Sequence, residues 1–311
     1  MPSREIERKI KFYRFDLGKN AARQPIILNV SALMTYLNGL DIAARTHEIP
    51  EDEITYLCHV DRHRRAPYHA RFIKVKRRDV PQIYDAQNQA HDLDDDEGVG
   101  ESVHAVFFAD NIIAVEGNKN GSSAYAICSH LKNIASAVCP NDMQCRQLVW
   151  GDTARRLGRL GILTSMTLKI RRGFTTHRAD IYNGVGNIQQ ALTGLEAINN
   201  VGNIAVTVTA QDSRKRSGVV GFSREIRQFI SRVASGSVSD SDLQQLSVKG
   251  IDSETQERDE VNILDSLLVI KKKLIKMNER GRTILSTDAY SKIEEAYNEH
   301  LTEITGASEL L

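Results

Sequence analysis

Two apolar runs separated by three turn-forming residues constrain this chain most. Val103 to Phe108 and Ile112 to Glu116 flank Ala109-Asp110-Asn111. Asp and Asn tolerate the left-handed backbone that a tight reversal requires, so the pattern predicts an antiparallel hairpin.

The rest of the chain extends this picture. Ile6 to Leu17 alternates as a first strand, and a helix capped by Asn29 or Ser31 carries Leu33, Met34 and Leu37 before Gly39 ends it. Ile54 to Val60 and Tyr68 to Arg78 form a second hairpin around a polar turn ending in Pro67. Ser122 or Ser123 caps a helix with Ile127, Leu131, Ile134, Ala135 and Val138 on one face, and Pro140 stops it. Gln147 to Trp150 reads as a strand, Thr153 to Leu160 as a short Arg-rich helix and Ile162 to Arg171 as another strand. Past Gly173 the pattern predicts a helix at Ile188 to Ile198, a strand at Ile204 to Thr209 and a helix at Ser223 to Ala234. A long strand over Val261 to Ile275 and a final helix from Asp288 to about Ile304 follow. The expected fold is α+β: antiparallel, hairpin-rich sheets with packed helices in two subdomains. Residues 1–172 form the N-terminal one, with the basic and the acidic-turn hairpins, and 173–311 the C-terminal one, ending in the amphipathic helix.

With 311 residues, 41% hydrophobic and 26% charged, the chain can build proper cores without staples. Cys58, Cys128, Cys139 and Cys145 are unevenly spaced, and the opening Met1-Pro2-Ser3-Arg4-Glu5 has no apolar run, which together predict a reduced, cytoplasmic chain. The longest apolar candidate, Ile263 to Ile270, falls short of the roughly 18 residues of a membrane helix and runs into Lys271-Lys272-Lys273.

Net charge is only +1, yet its distribution is polarised. Eight cations and no acid lie between Arg62 and Arg78: Arg62, Arg64, Arg65, Arg71, Lys74, Lys76, Arg77 and Arg78. Period-two geometry puts Phe72, Lys74, Lys76 and Arg78 on one face and Arg71, Ile73, Val75 and Arg77 on the other. A cationic row spaced about 7 Å apart suits the phosphates of a nucleic-acid backbone, through counterion release. The competing reading is a solvated edge strand guarded by charge. Arg155, Arg156 and Arg159, then Lys169, Arg171 and Arg172, then Arg214, Lys215 and Arg216 extend the candidate surface.

Asp92 to Glu97 groups carboxylates that suit Mg²⁺ or Ca²⁺, but calcium-loop spacing is absent, and Gly98 and Gly100 fit a turn leading into a strand. His59, His63 and His69 beside Cys58 lack the paired units of a zinc site. Gly117 to Gly121 lacks the Gly-Lys-Ser/Thr ending of a phosphate loop, and no Ser-His-Asp or Cys-His set assembles from spacing. The residues therefore predict neither metal nor cofactor, and no catalytic group.

The pattern Leu-x-Asp-Asp-Glu-x-x-Gly at Leu93 to Gly100, followed by strand, short turn, strand and a polar Gly/Ser segment into a helix, resembles the RexA-like phage-exclusion proteins. Ile27 to Leu33, Gly151-Asp152-Thr153, Thr164 to Ile170 and Leu267 to Lys272 are similar to further segments of that family. KwaB of the Kiwa defence system is a more distant likeness in size and order. The resemblance implies a cytoplasmic, dimeric, non-enzymatic DNA-binding sensor of phage infection that signals to a separate integral-membrane effector, with binding largely independent of sequence. A metal-dependent nuclease effector and a protein-binding scaffold are the alternatives. In a homodimer or higher even oligomer the stripe of Tyr290, Ile293 and Tyr297 either meets a symmetry mate or covers its own sheet.

Overall fold

The computed structural model describes residues 4–49, 53–77, 83–84, 90–91, 98–118, 121–140, 142–171, 203–210, 216–234, 243–278 and 283–309. The first half runs β1 (Glu5–Asp16), α1 (Val30–Gly39), β2 (Thr46–Ile49), β3 (Ile54–Arg62), β4 (Tyr68–Lys76), β5 (Ile83–Tyr84), β6 (Ala90–His91), β7 (Val99–Phe107), β8 (Ile112–Gly117) and α2 (Ala124–Ile134). Then come β9 (Gln144–Val149), α3 (Gly151–Arg159), β10 (Leu160–Arg171), β11 (Asn203–Thr209), α4 (Arg216–Ala234), β12 (Leu243–Asp252) and β13 (Arg258–Asn262). The chain closes with α5 (Ile263–Ser266), β14 (Val269–Ile275), α6 (Ser286–Glu299), α7 (Leu301–Gly306) and β15 (Ser308–Glu309). The fold is α+β with antiparallel sheets, and no described helix is long and apolar enough to cross a membrane.

Two compact units divide the chain: Met1–Cys145 with Val269–His300, and Arg146–Leu268 with Leu301–Leu311. This differs from a linear division near Gly173, because β14 pairs with β1 over Glu5↔Ile275 to Lys11↔Val269 and so belongs with the N-terminal strands. Periodicity identifies a strand but not its partner. The expected long strand over Val261 to Ile275 is likewise two strands with one helical turn between them, since the short, mostly apolar stretch at 263–268, interrupted by Asp265 and Ser266, reads equally as strand or helix.

In the first unit the antiparallel order is β14-β1-β8-β7-β4-β3-β2. Its central hairpin turns through Asp110 and Asn111 at φ 56° and 61°, the left-handed region for which their short polar side chains suit them. Asn111 does more than turn. Its Oδ1 accepts from Leu28 N at 2.6 Å, and its Nδ2 donates to the carbonyls of Phe15 at 3.1 Å and Ile26 at 2.8 Å, fixing the loop that leads into α1. Asn29 caps α1 and Ser123 caps α2, each accepting from an amide three residues on. Leu33, Met34 and Leu37 of α1 and Ile127 and Leu131 of α2 pack over Phe15, Cys58, Phe72, Val103, Phe107, Ile113 and Val115 on one face of the sheet.

The other face lies beneath α6, which contacts β7, β8 and β14. Tyr290, Ile293 and Ala296 are buried there, and Tyr297 stacks on Phe108 at 3.7 Å. The Tyr290-Ile293-Tyr297 stripe thus covers its own sheet and is not a free symmetric interface. The predicted helix through Ile304 breaks at His300, after which Leu301 is exposed.

The second unit carries the antiparallel order β11-β10-β12-β13. Strand β12 has no counterpart among the sequence expectations, and the helix expected at Ile188 to Ile198 lies outside the described residues. Ile226, Phe229, Ile230 and Val233 of α4 are buried, and Ser223 Oγ ties the helix to β10 by accepting from Leu163 N at 2.8 Å.

Candidate nucleic-acid interface

The basic hairpin is not an edge. β4 sits between β3 and β7, so both of its hydrogen-bonding edges are paired. Phe72, expected beside a cationic row, is 1% exposed in the core, while Lys74 on the same face is half-buried and Lys76 exposed. On the opposite face Arg71 donates to both carboxylate oxygens of Asp61, at 2.7 and 3.1 Å. A register shift between Val60 and Arg62 makes Asp61 a bulge residue, and bulges re-aim side chains. Burial pushes the Asp61 carboxyl up, but hydrogen bonds from Arg71 and Tyr290 outweigh it and hold the group below its ordinary range. Arg62 reaches Glu294 at 3.3 Å, and Arg77 donates to Thr55 Oγ1. Arg64 and Arg65 remain exposed at the tip, and Arg78 lies outside the described residues.

These pairs belong to a larger polar layer under α6. Tyr290 donates to Asp61 Oδ2 at 2.6 Å, its phenol pushed far up by burial and by that carboxylate. His69 Nε2 meets Glu294 Oε1 at 2.6 Å and stacks on Tyr290 at 4.1 Å. Burial drives the His69 imidazole down from its ordinary value, against the pull of Glu294. Beside them His104 Nδ1 lies 2.6 Å from Glu116 Oε2, His104 Nε2 lies 2.9 Å from Ser286 Oγ, and Arg8 Nε lies 3.3 Å from Glu116 Oε1. Sequence reasoning missed this layer. Its available signal was a polar residue beside apolar ones on one strand face: Arg8 before Ile10 and Phe12 in β1, His104 before Val106 in β7 and Glu116 after Ile112 and Ala114 in β8.

Period two also separates the residues once grouped as a zinc possibility. Cys58 faces the α1 and α2 core, where burial pushes its thiol up to about 12, with Arg45 opposing. Its neighbour His59 faces away, and His69 is engaged with Glu294. Among the described residues no group of three or more His, Cys, Asp or Glu is placed to hold a metal ion. Asp92 to Glu97 lies outside the described residues. Gly98, expected in a turn, instead runs so close to β4 that a Cβ there would sit 2.8 Å from the Lys76 carbonyl oxygen.

In the second unit Arg156 forms a bidentate pair with Asp259 at 3.1 and 2.6 Å, and Arg159 reaches Asp252 at 3.1 Å and Glu254 at 3.3 Å. These arginines pin α3 to β12, its following turn and β13. Arg155 is exposed and Lys169 half-buried. Arg171 ends β10 and Arg216 begins α4, with side chains outside the description, as are Arg172, Arg214 and Lys215 altogether.

A different cationic group faces solvent. Lys9 lies directly opposite Lys271 across β1 and β14, and Glu7 lies opposite Lys273. All are exposed on the face that carries Tyr13 and Phe15 further along β1. Lys74 and Lys76 share that face and that end of the sheet, as the registers Lys74↔Glu101 and Lys9↔Gly117 require. Lys271 meets Glu7 at 3.3 Å and Lys273 meets Glu5 at 4.0 Å, contacts so exposed that they neutralise little. Lys272, pointing the other way, is held by Glu295 at 2.7 Å and Glu299 at 2.6 Å. No protein-family model matches the chain, and no curated protein matches it.

Proposed function

We propose that the protein is a cytoplasmic DNA-binding component of a bacterial antiphage defence system, which senses infection and signals to a separate integral-membrane effector. The observation that carries the binding reading is the exposed set Lys9, Lys271 and Lys273, with Lys74 and Lys76 on the same face. Like charges placed directly opposite in a sheet repel, and a phosphate backbone relieves that repulsion. The hairpin arginines contribute less than their number suggests, because Arg62 and Arg71 spend their charge on Glu294 and Asp61. The resemblance to the RexA-like proteins supplies the biological setting. Two copies in a homodimer would present two lysine faces to one duplex and raise their effective concentration.

Gel shifts of a duplex at two salt concentrations test this. Lys9→Glu, Lys271→Glu and Lys273→Glu together should weaken binding and flatten the log-salt slope by about 2 to 3, since each phosphate contact contributes about 0.9. An unchanged slope in the folded triple variant would move the interface elsewhere. Magnesium-dependent cleavage of the duplex would replace the sensor reading with a nuclease.

A further inference from the structure

We propose that Ser286, His104 and Glu116 form a proton relay that makes Ser286 Oγ a nucleophile for acyl transfer, with small apolar carboxylic esters as its substrate class. The three side chains are bonded in series through different imidazole nitrogens: Ser286 Oγ to Nε2 at 2.9 Å, and Nδ1 to Glu116 Oε2 at 2.6 Å. With Nδ1–H donated to Glu116, Nε2 is left as the acceptor that faces the hydroxyl, the tautomer a serine base needs. The order is the one that chemistry requires.

The surroundings favour this role in three ways. His104 and Glu116 are each 1% exposed at the side chain, whereas Ser286 is only half-buried, so the relay opens to solvent at its nucleophilic end alone. Arg8 against the second Glu116 oxygen and the edge-on Tyr290 ring, 5.2 Å from the His104 ring, fix the carboxylate and the imidazole. Ser286 is also the first residue of α6, and Leu285 before it supplies no capping side chain. The first-turn amides of a helix have no intrahelical acceptor, and those of α6 begin at the serine itself. Asp288, in the same turn, has its Oδ2 occupied by the Ile275 amide at 2.7 Å.

The substrate class follows from the rim. Met277 and Leu285 are exposed at 57% and 40%; Leu285 immediately precedes the serine and Met277 N donates to the Thr283 carbonyl at 2.8 Å, so an apolar patch flanks the serine. An acyl chain would cover it. In the reaction, Oγ bonds to the ester carbonyl carbon as its proton passes to His104 Nε2. Collapse of the tetrahedral intermediate breaks the bond to the alcohol, which takes that proton. Water, deprotonated by His104, then attacks the acyl-serine and releases the carboxylic acid and the free hydroxyl.

The full chain should be exposed to a fluorophosphonate probe and, separately, to p-nitrophenyl butyrate. Expected are covalent labelling located on Ser286 by peptide mass spectrometry, and ester hydrolysis that falls at least about a hundredfold in Ser286→Ala and in His104→Gln. Because His104 is buried, its variant is read beside Ser286→Ala, a substitution at a half-buried position, with circular dichroism showing both variants folded. A folded wild-type chain that takes up no probe at Ser286 overturns the proposal. So does hydrolysis that Ser286→Ala leaves unchanged.

Discussion

Both faces of the first sheet bury a histidine, and they do so by opposite means. Under α2, His130 is 1% exposed among Phe72, Tyr56 and His47, at ring distances of 6.1 to 6.3 Å, and burial, with His47 adding, holds its imidazole down at about 4. It is accommodated by remaining neutral. Under α6, His104 is equally buried but sits between a carboxylate and a hydroxyl, in a layer that also holds Arg8, Asp61, Arg71 and Tyr290. The first face draws its stability from area and fit, so an apolar replacement of similar shape should serve it. The second depends also on partners, and removal of one strands polar groups as buried as His104 and Glu116.

The largest effect should come from Glu116→Ala, which leaves Arg8 and His104 without their shared carboxylate. We expect a loss of about 3 to 5 kcal/mol in chemical denaturation. A loss below about 1 kcal/mol would mean that solvent reaches this layer, and the contrast between the faces would collapse.

The next test sharpens the comparison through pH. His130 has a folded value below its unfolded one, so between about pH 6.5 and 4 the unfolded chain binds the extra proton and native stability falls as pH falls. That group alone accounts for up to about 3 kcal/mol across the window. His130→Phe should remove this component, read as a smaller difference between urea midpoints at neutral and acidic pH. An identical pH dependence in the variant would assign the loss to other groups.

The smallest effect concerns the neutral member of the polar layer. Tyr290→Phe keeps the ring on His69 and removes only the hydroxyl that Asp61 accepts, at an expected cost of about 1 to 2 kcal/mol. The Asp61 carboxyl should also titrate higher by NMR, because one of the bonds holding it down is gone. A carboxyl that does not move would exclude Tyr290 from the network.

The legible parts of this molecule are those written locally. Asp110-Asn111 announced its turn, Asn29 and Ser123 announced their caps, and alternation placed β1, β3 and β4, because each signal is complete within a few residues. The partner of a strand is not local, and so neither the pairing of β14 with β1 nor the interior position of β4 could be read. The same limit governed the charges. Eight cations in a row looked like a surface until Asp61, one residue upstream, and Glu294, more than two hundred residues downstream, were found to hold two of them. Ser286, His104 and Glu116 share no motif, and only folding brings them together.

Residues 146–268 intervene between the strands of the first sheet and the segment carrying β14 and α6. On a ribosome adding about 5 to 20 residues per second, the first 145 residues therefore wait roughly 6 to 25 s for β14, with the His104 face uncovered throughout. An apolar face left bare for that time would invite aggregation. Ile10, Phe12, Val106, Ile112 and Ala114 are on that face, and Arg8, His104 and Glu116 set among them give water charged groups to solvate until the last helix arrives.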